Sequence, residues 1–170
     1  MAESRVRRAD AGDAATIAGL QIQVWQQVFS EILPTEIVLT DAVAHTAIWA
    51  ARLSHGGAVL LATEGAEPVG FAAVAAERDA DRAGEIEVLY VVPRWGRRGH
   101  GGRLLAGAAD ALRRLGAAAG RGWIPPTATA SARVATAAGW AADGAHRAFD
   151  TGGGRLVEVR YSGGIDLVAA

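Results

Sequence analysis

Residues 85–105, EIEVLYVVPRWGRRGHGGRLL, carry the densest chemistry in the chain. Gly96, Gly99, Gly101 and Gly102 fall among Arg94, Arg97, Arg98 and Arg103, and no acidic residue lies between positions 88 and 109. Leu104, Leu105, Ala108, Ala109, Leu112 and Leu115 then recur at helical spacing, which places the glycines at a helix N-terminus. Such an end leaves several backbone N–H groups unpaired and carries a partial positive charge, so it attracts anions. Glycine lets an anion approach that backbone with no Cβ in the way. Just upstream, Glu85 and Glu87 supply two carboxylates beside this acid-free stretch, a pairing suited to taking up a proton. The chemistry this pattern predicts is the holding of a phosphate next to a base.

Three kinds of phosphate loop are worth separating. A Walker-type loop requires a lysine followed by Ser or Thr, and the chain contains no lysine. The dinucleotide fingerprint requires a third glycine three residues after the second, in a strand near the start of the fold. Counting from Gly99 and Gly101 puts Leu104 at that place, and the strand lies mid-chain. The third pattern is Gln/Arg-x-x-Gly-x-Gly/Ala directly after an L-Y-V-x-P strand. Leu89-Tyr90-Val91-Val92-Pro93 matches the strand and Gly99-His100-Gly101 the second half of the loop, while Gly96 stands at the first position.

With these segments the chain resembles the GNAT superfamily of acyl-CoA-dependent N-acyltransferases over nearly its whole length. VRRADAGDAATIAGL is similar to that family's opening strand and first helix, WQQVFSEILP to the aromatic-rich end of that helix, and SARVATAAGW to its last helix. The resemblance implies acetyl-CoA as co-substrate and an amine as acceptor, with residues 96–102 (Gly96, Arg97, Arg98, Gly99, His100, Gly101, Gly102) around the diphosphate. In that reading His100 lies in the loop and contributes its backbone N–H. The resemblance further implies that the backbone N–H near Leu89 faces the thioester carbonyl, and that backbone groups of Tyr90 and Val91 pair with the pantetheine arm. It places Glu85 where some members carry a catalytic glutamate, 14 residues before Gly99. It also puts Trp25, Phe29 and Trp49 on the helices that cover the acceptor, with Trp25 and Phe29 as pocket residues. Two features depart from the family. Ala135 stands where a tyrosine often serves as general acid, and no asparagine occurs near Ala128 or elsewhere.

Amine chemistry makes the base the more important of the two groups. A lysine-like amine sits ~3.4 pKa units above neutrality, so freeing its lone pair costs about 4.6 kcal/mol at pH 7, whereas a thiol leaving group is only about 2 kcal/mol from its anion. Regular strand alternation puts Glu85, Glu87, Leu89 and Val91 on one face and Ile86, Val88, Tyr90 and Val92 on the other. Glu85 is the preferred base, with Glu87 the alternative. Tyr90 and Tyr161, the only tyrosines, read as packing residues.

The elements that position these groups fit one domain, residues 1–170. The expected class is α/β: a mixed, mostly antiparallel sheet of about six to seven strands flanked by four helices. An edge strand over 4–9 leads to a helix capped by Asp10 or Asp13 and running to about Phe29, with Ile17, Leu20, Ile22, Val24 and Val28 as its stripe. A second helix spans about 34–53, with Val38, Val43, Ile48, Trp49 and Leu53 as burial candidates, and Gly56-Gly57 ends it. GAVLLATE and EPVGFAAVAAE form a hairpin about Gly65, and a polar turn follows. The strand from Glu85, a helix over about 100–115 and a strand over 121–124 make a βαβ unit. A helix over 127–138, capped by threonines, and a hairpin around 151–154 complete the chain.

Composition narrows the partners. The net charge of −1 argues against nucleic acid or an anionic membrane. All 17 basic residues are arginine, so any lysine acceptor belongs to another molecule. The absence of cysteine removes disulfides, thiolate metal sites and a covalent acetyl-cysteine route, leaving direct transfer. His45, His55 and His146 show no metal spacing, and no metal is expected. No apolar stretch is long enough to span a bilayer, and a cytoplasmic location is expected. The partner is a small-molecule or peptide amine; a homodimer remains open. Two other functions compete: a non-catalytic acyl-CoA-binding or sensing domain, and a dinucleotide-binding oxidoreductase domain.

Overall fold

The structure, a computed structural model, describes residues 3–38, 41–56, 58–76, 82–152 and 154–167. Seven strands build one sheet: β1 Ser4–Arg8, β2 Ala58–Glu64, β3 Glu67–Ala76, β4 Ala83–Val91, β5 Ala119–Ile124, β6 Ala141–Asp150 and β7 Arg155–Gly163. Their order across the sheet is β1-β2-β3-β4-β5-β7-β6. Every pairing is antiparallel except β4 with β5. That parallel pair needs a crossover, and helix α4, His100–Arg114, supplies it. Helices α1 (Ala14–Val28) and α3 (Ala42–Ser54) cover one face, with a single turn, α2 (Thr35–Val38), between them. Helices α4 and α5 (Thr129–Ala137) cover the other.

Each face buries its own core. Leu104, Leu105, Ala108, Ala109 and Leu112 of α4 pack on Val69, Val74 and Ile86, while Ile17, Leu20, Val24 and Trp49 pack on Val59, Leu61 and Phe71. The expected α/β class, strand number and helix number are those of the structure, which adds only the short turn α2.

Local chemistry explains where boundaries moved. Asp10 is the cap at the start of the first helical segment: its carboxylate accepts from Gly12 N–H at 2.8 Å, and Asp13 accepts from Asp10 N–H at 2.9 Å. This reciprocal box satisfies two N–H groups that a helix end otherwise leaves bare. Arg7 grips Asp13 with two hydrogen bonds of 2.7 Å. The single helix expected over 34–53 is instead interrupted, because Asp41 begins a new one by accepting from Val43 N–H at 2.8 Å. Val43 and Ile48 are 75% and 62% exposed, not buried, and Val28 is 46% exposed. Only the α3 stripe that meets α1 and the sheet is covered, and Trp49 carries most of that burial. At α5 the N-cap is Ala128 without a side-chain bond, so the threonines do not cap it. The polar turn expected after β3 falls on residues 77–81, and with Gly57 and the Val38 side chain it lies outside the described residues.

Candidate active site

The sheet forks beside the two glutamates. The β4–β5 ladder ends at the pair Ile86–Gly122, while β4 continues to Val91 and β5 to Ile124, which pairs only with β7. Val92 N–H donates to Val69 O at 2.9 Å. Backbone groups alternate sides along a strand. The main chain of Tyr90, opposite Phe71, therefore points to β3, and that of Leu89 and Val91 points into the gap left by β5. Of the three residues expected to offer backbone groups, two face the gap and Tyr90 does not.

At the end of β4 the chain passes through a 3-10 turn, Pro93–Trp95, into the glycine-arginine turn and α4. Gly99 is the N-cap of α4 at φ +82°, a left-handed conformation that costs an L side chain roughly 1–2 kcal/mol. Arg97 holds φ +63° without that freedom. Among the described residues, no main-chain N–H from 97 to 102 donates a hydrogen bond, and the first such bond in α4 runs from Arg103 N–H to Gly99 O at 3.0 Å. A β-carbon on Gly102 would meet nothing within 4 Å, so the space beside that residue is open. Arg98 stacks on Trp95 at 4.7 Å, and Arg94 pairs with Glu67 at 2.6 Å. Arg97 is exposed and makes no ion pair among the described residues.

His100 differs from expectation. It is the first residue of α4, and its side chain is buried at 2% exposure rather than lying in the loop. The ring packs against Trp95, with Nε2 3.2 Å from Glu64 Oε2 but without hydrogen-bond geometry. Burial holds the imidazole below its ordinary value; Glu64 opposes this, and Arg103 and Arg98 add to it.

The glutamate side also departs from regular alternation. Ala73 pairs with Val88 and Val74 with Ile86, so Glu87 is an extra residue, a bulge. A bulge shifts every following side chain to the opposite face. Ile86, Leu89 and Val91 consequently join the α4 core, while Val88, Tyr90 and Val92 join the α1–α3 core. Expected to face away from the glutamates, Tyr90 instead shares their side of the sheet.

Glu85 stands beside the last pairs before the fork, opposite Arg121 in register, and accepts from Trp123 Nε1 at 3.4 Å. Glu87 is held by Arg52 of α3. Trp25 and Phe29, from the end of α1, close on Tyr90: the indole nitrogen of Trp25 is 3.4 Å from its hydroxyl, and the Phe29 ring is 5.9 Å away. Trp49 is core, 6% exposed, donating to Gln21 at 2.8 Å. No sequence signal marks Trp123, over whose ring Arg147 lies at 4.3 Å, or the ion pair of Arg147 with Glu158 at 2.6 Å. Both sit on strands without a motif; their nearness follows from the β5–β7–β6 order. The tip of the β6–β7 hairpin reaches the α1–α2 turn, where Thr151 Oγ1 donates to Ile32 O at 2.8 Å.

A turn with unpaired main-chain N–H groups, a strand edge without a partner and a carboxylate therefore lie along one fork. No helix among the described residues is long and apolar enough to cross a membrane. No curated protein sequence matches the chain. Solved structures do. The putative acetyltransferase yncA of Salmonella typhimurium, solved with its cofactor acetyl-CoA, is 25% identical at a TM-score of 0.74, over 98% of this chain and 96% of that one. A GCN5-related N-acetyltransferase of Rhodopseudomonas palustris is also 25% identical, at 0.72, over 96% and 97%. The PaiA N-acetyltransferase of Thermoplasma acidophilum, in complex with coenzyme A, shares the fold at 0.70 and 15% identity, over 95% and 99%. The acetyltransferase (GNAT) family profile matches residues 23–140, and the chain belongs to that family of acetyltransferases.

Proposed function

We propose that the chain transfers an acetyl group from acetyl-CoA to the amine of a separate acceptor by direct attack, with Glu85 as general base. The observation that carries this reading is the fork itself, where unpaired N–H groups of residues 97–102, the bare backbone of Leu89 and Val91, and Glu85 meet along one strand-turn-helix unit. The turn fits a diphosphate: its donors are unspent, space beside Gly102 is open, and no acidic residue occurs from 88 to 109. Bonds from such donors to a charged group contribute about 1.5–3 kcal/mol each, enough to make Gly96 an adequate replacement for a side-chain cation that contributes about 0–1.

Acetyl-CoA supplies an activated acyl group on a thiol that leaves readily. Leu89 N–H, fixed in the strand, is placed to donate to a carbonyl oxygen as charge develops on it. Leu89 and Val91 together present a strand edge to the pantetheine arm in the manner of an added strand. Glu85 keeps its carboxylate oriented through Trp123 Nε1–H and takes the proton of an incoming ammonium. Glu87, tied to Arg52, is the less available base.

The test is thiol release from acetyl-CoA over a panel of amines, run beside binding titrations with CoA and with NAD. Amine-dependent release supports the transferase. CoA binding with no turnover by any amine would leave a sensing domain, and NAD binding alone would remove both CoA readings.

A further inference from the structure

The bulge at Glu87 leaves one polar group on the acceptor side without a task in acetyl transfer. Tyr90 presents its ring to Phe29 at 5.9 Å and, edge-on, to Phe71 at 5.8 Å. Its oxygen accepts from Trp25 Nε1–H at 3.4 Å. Among the described residues the phenolic proton has no acceptor. Phenylalanine would fill the same volume in this partly buried, largely apolar box, so the hydroxyl adds a donor that packing does not need. Burial pushes the phenol above its ordinary value; the Trp25 bond opposes this and Glu158 adds to it, and the group stays protonated throughout the neutral range. It is a permanent donor facing the side that holds Glu85 and Glu87.

We propose that Tyr90 is a specificity-determining residue whose hydroxyl donates a hydrogen bond to a carbonyl or carboxylate oxygen carried by the acceptor, so that the substrate class is an amine bearing such an oxygen. A polyamine is a poor match, because its other nitrogens are protonated at neutral pH and offer no lone pair. The assignment rests on the acetyl-transfer reading above, and it gives Trp25 a positioning role through its bond to the phenol oxygen. Both sources of the oxygen share one chemistry. A free amino acid and its amide separate them, because only the carboxylate adds a charge.

The experiment compares wild type with Tyr90→Phe, which keeps the ring and deletes only the hydroxyl. Thiol release is measured with glycinamide, glycine, propylamine and cadaverine, and binding of the same four to the CoA-loaded protein is titrated by calorimetry. The expected result is a preference for glycinamide or glycine over propylamine in wild type that shrinks about 10-fold in the variant, the scale of one lost hydrogen bond. Turnover of propylamine and KM for acetyl-CoA stay unchanged. A variant that lowers all amines equally, or retains the wild-type preference, overturns the assignment. So does a wild type that shows no preference for the oxygen-bearing amines. Selective binding of glycinamide without thiol release would overturn acetyl transfer and leave the role of Tyr90 standing.

Discussion

Replacing Gly102 by aspartate should move stability and cofactor affinity in opposite directions. Gly102 is the third residue of α4, a β-carbon there meets nothing within 4 Å, and its φ is not left-handed. A carboxylate in the first helical turn is favoured by the helix dipole by about 0.3–1 kcal/mol. Melting temperature therefore holds or rises by roughly 1–3 °C, given about 2–4 °C per kcal/mol in a chain of this size. The same carboxylate faces the space assigned to the diphosphate. At a separation of ~6 Å and an effective dielectric of ~40, each phosphate charge contributes a repulsion of about 1.4 kcal/mol, so two give about 3 kcal/mol, or roughly 100-fold in Kd. Calorimetric titration with CoA at low salt and thermal unfolding of the same sample measure both effects. Added salt should recover part of the lost affinity. An unchanged melting temperature with CoA affinity within about 3-fold of wild type would refute the placement of the anion at this helix end.

Other consequences follow from the same geometry. Glu85→Gln should lower kcat by about 10²–10³-fold and raise the pH needed for turnover, since deprotonating the amine is then left to solvent. Glu87→Gln should have the smaller effect, and an unchanged pH requirement in Glu85→Gln would exclude Glu85 as the base. Gly120→Ala would place a β-carbon 2.6 Å from Trp140 and 3.0 Å from Ile165, an overpacking worth about 1–3 kcal/mol, measurable as a lower denaturation midpoint with an unchanged slope. His100 has a folded-state value below its ordinary one. The unfolded chain therefore binds more protons as pH falls through about 6.5, and folding stability declines on that side. His100→Gln should flatten this decline between about pH 7 and 5; parallel stability curves for the two proteins would show that the buried imidazole is not its source.

The parts of the molecule legible in the sequence are those where local chemistry and tertiary demand agree. The place of the glycine-arginine turn at the start of α4 is legible because glycines end the strand and an apolar stripe at helical spacing follows them. The βαβ unit was readable because α4 has a clean apolar stripe between two apolar runs. The orientation of Tyr90 was not. Val88, Leu89, Tyr90, Val91 and Val92 are all apolar or aromatic because both faces of the sheet are covered, so no alternation exists to betray the extra residue at Glu87. The break between α2 and α3 had a signal in Asp41, a good cap, that a continuous helical pattern concealed. Trp123 and the Arg147–Glu158 pair join the site through strand order, and strand order is not written in spacing.

A crystal structure of the protein grown with excess CoA locates the diphosphate itself. Both phosphate groups should sit over residues 97–102, with oxygens about 2.7–3.2 Å from main-chain nitrogens of that turn and the pantetheine arm along Leu89 and Val91. A diphosphate bound elsewhere, with those nitrogens facing solvent, would contradict that placement.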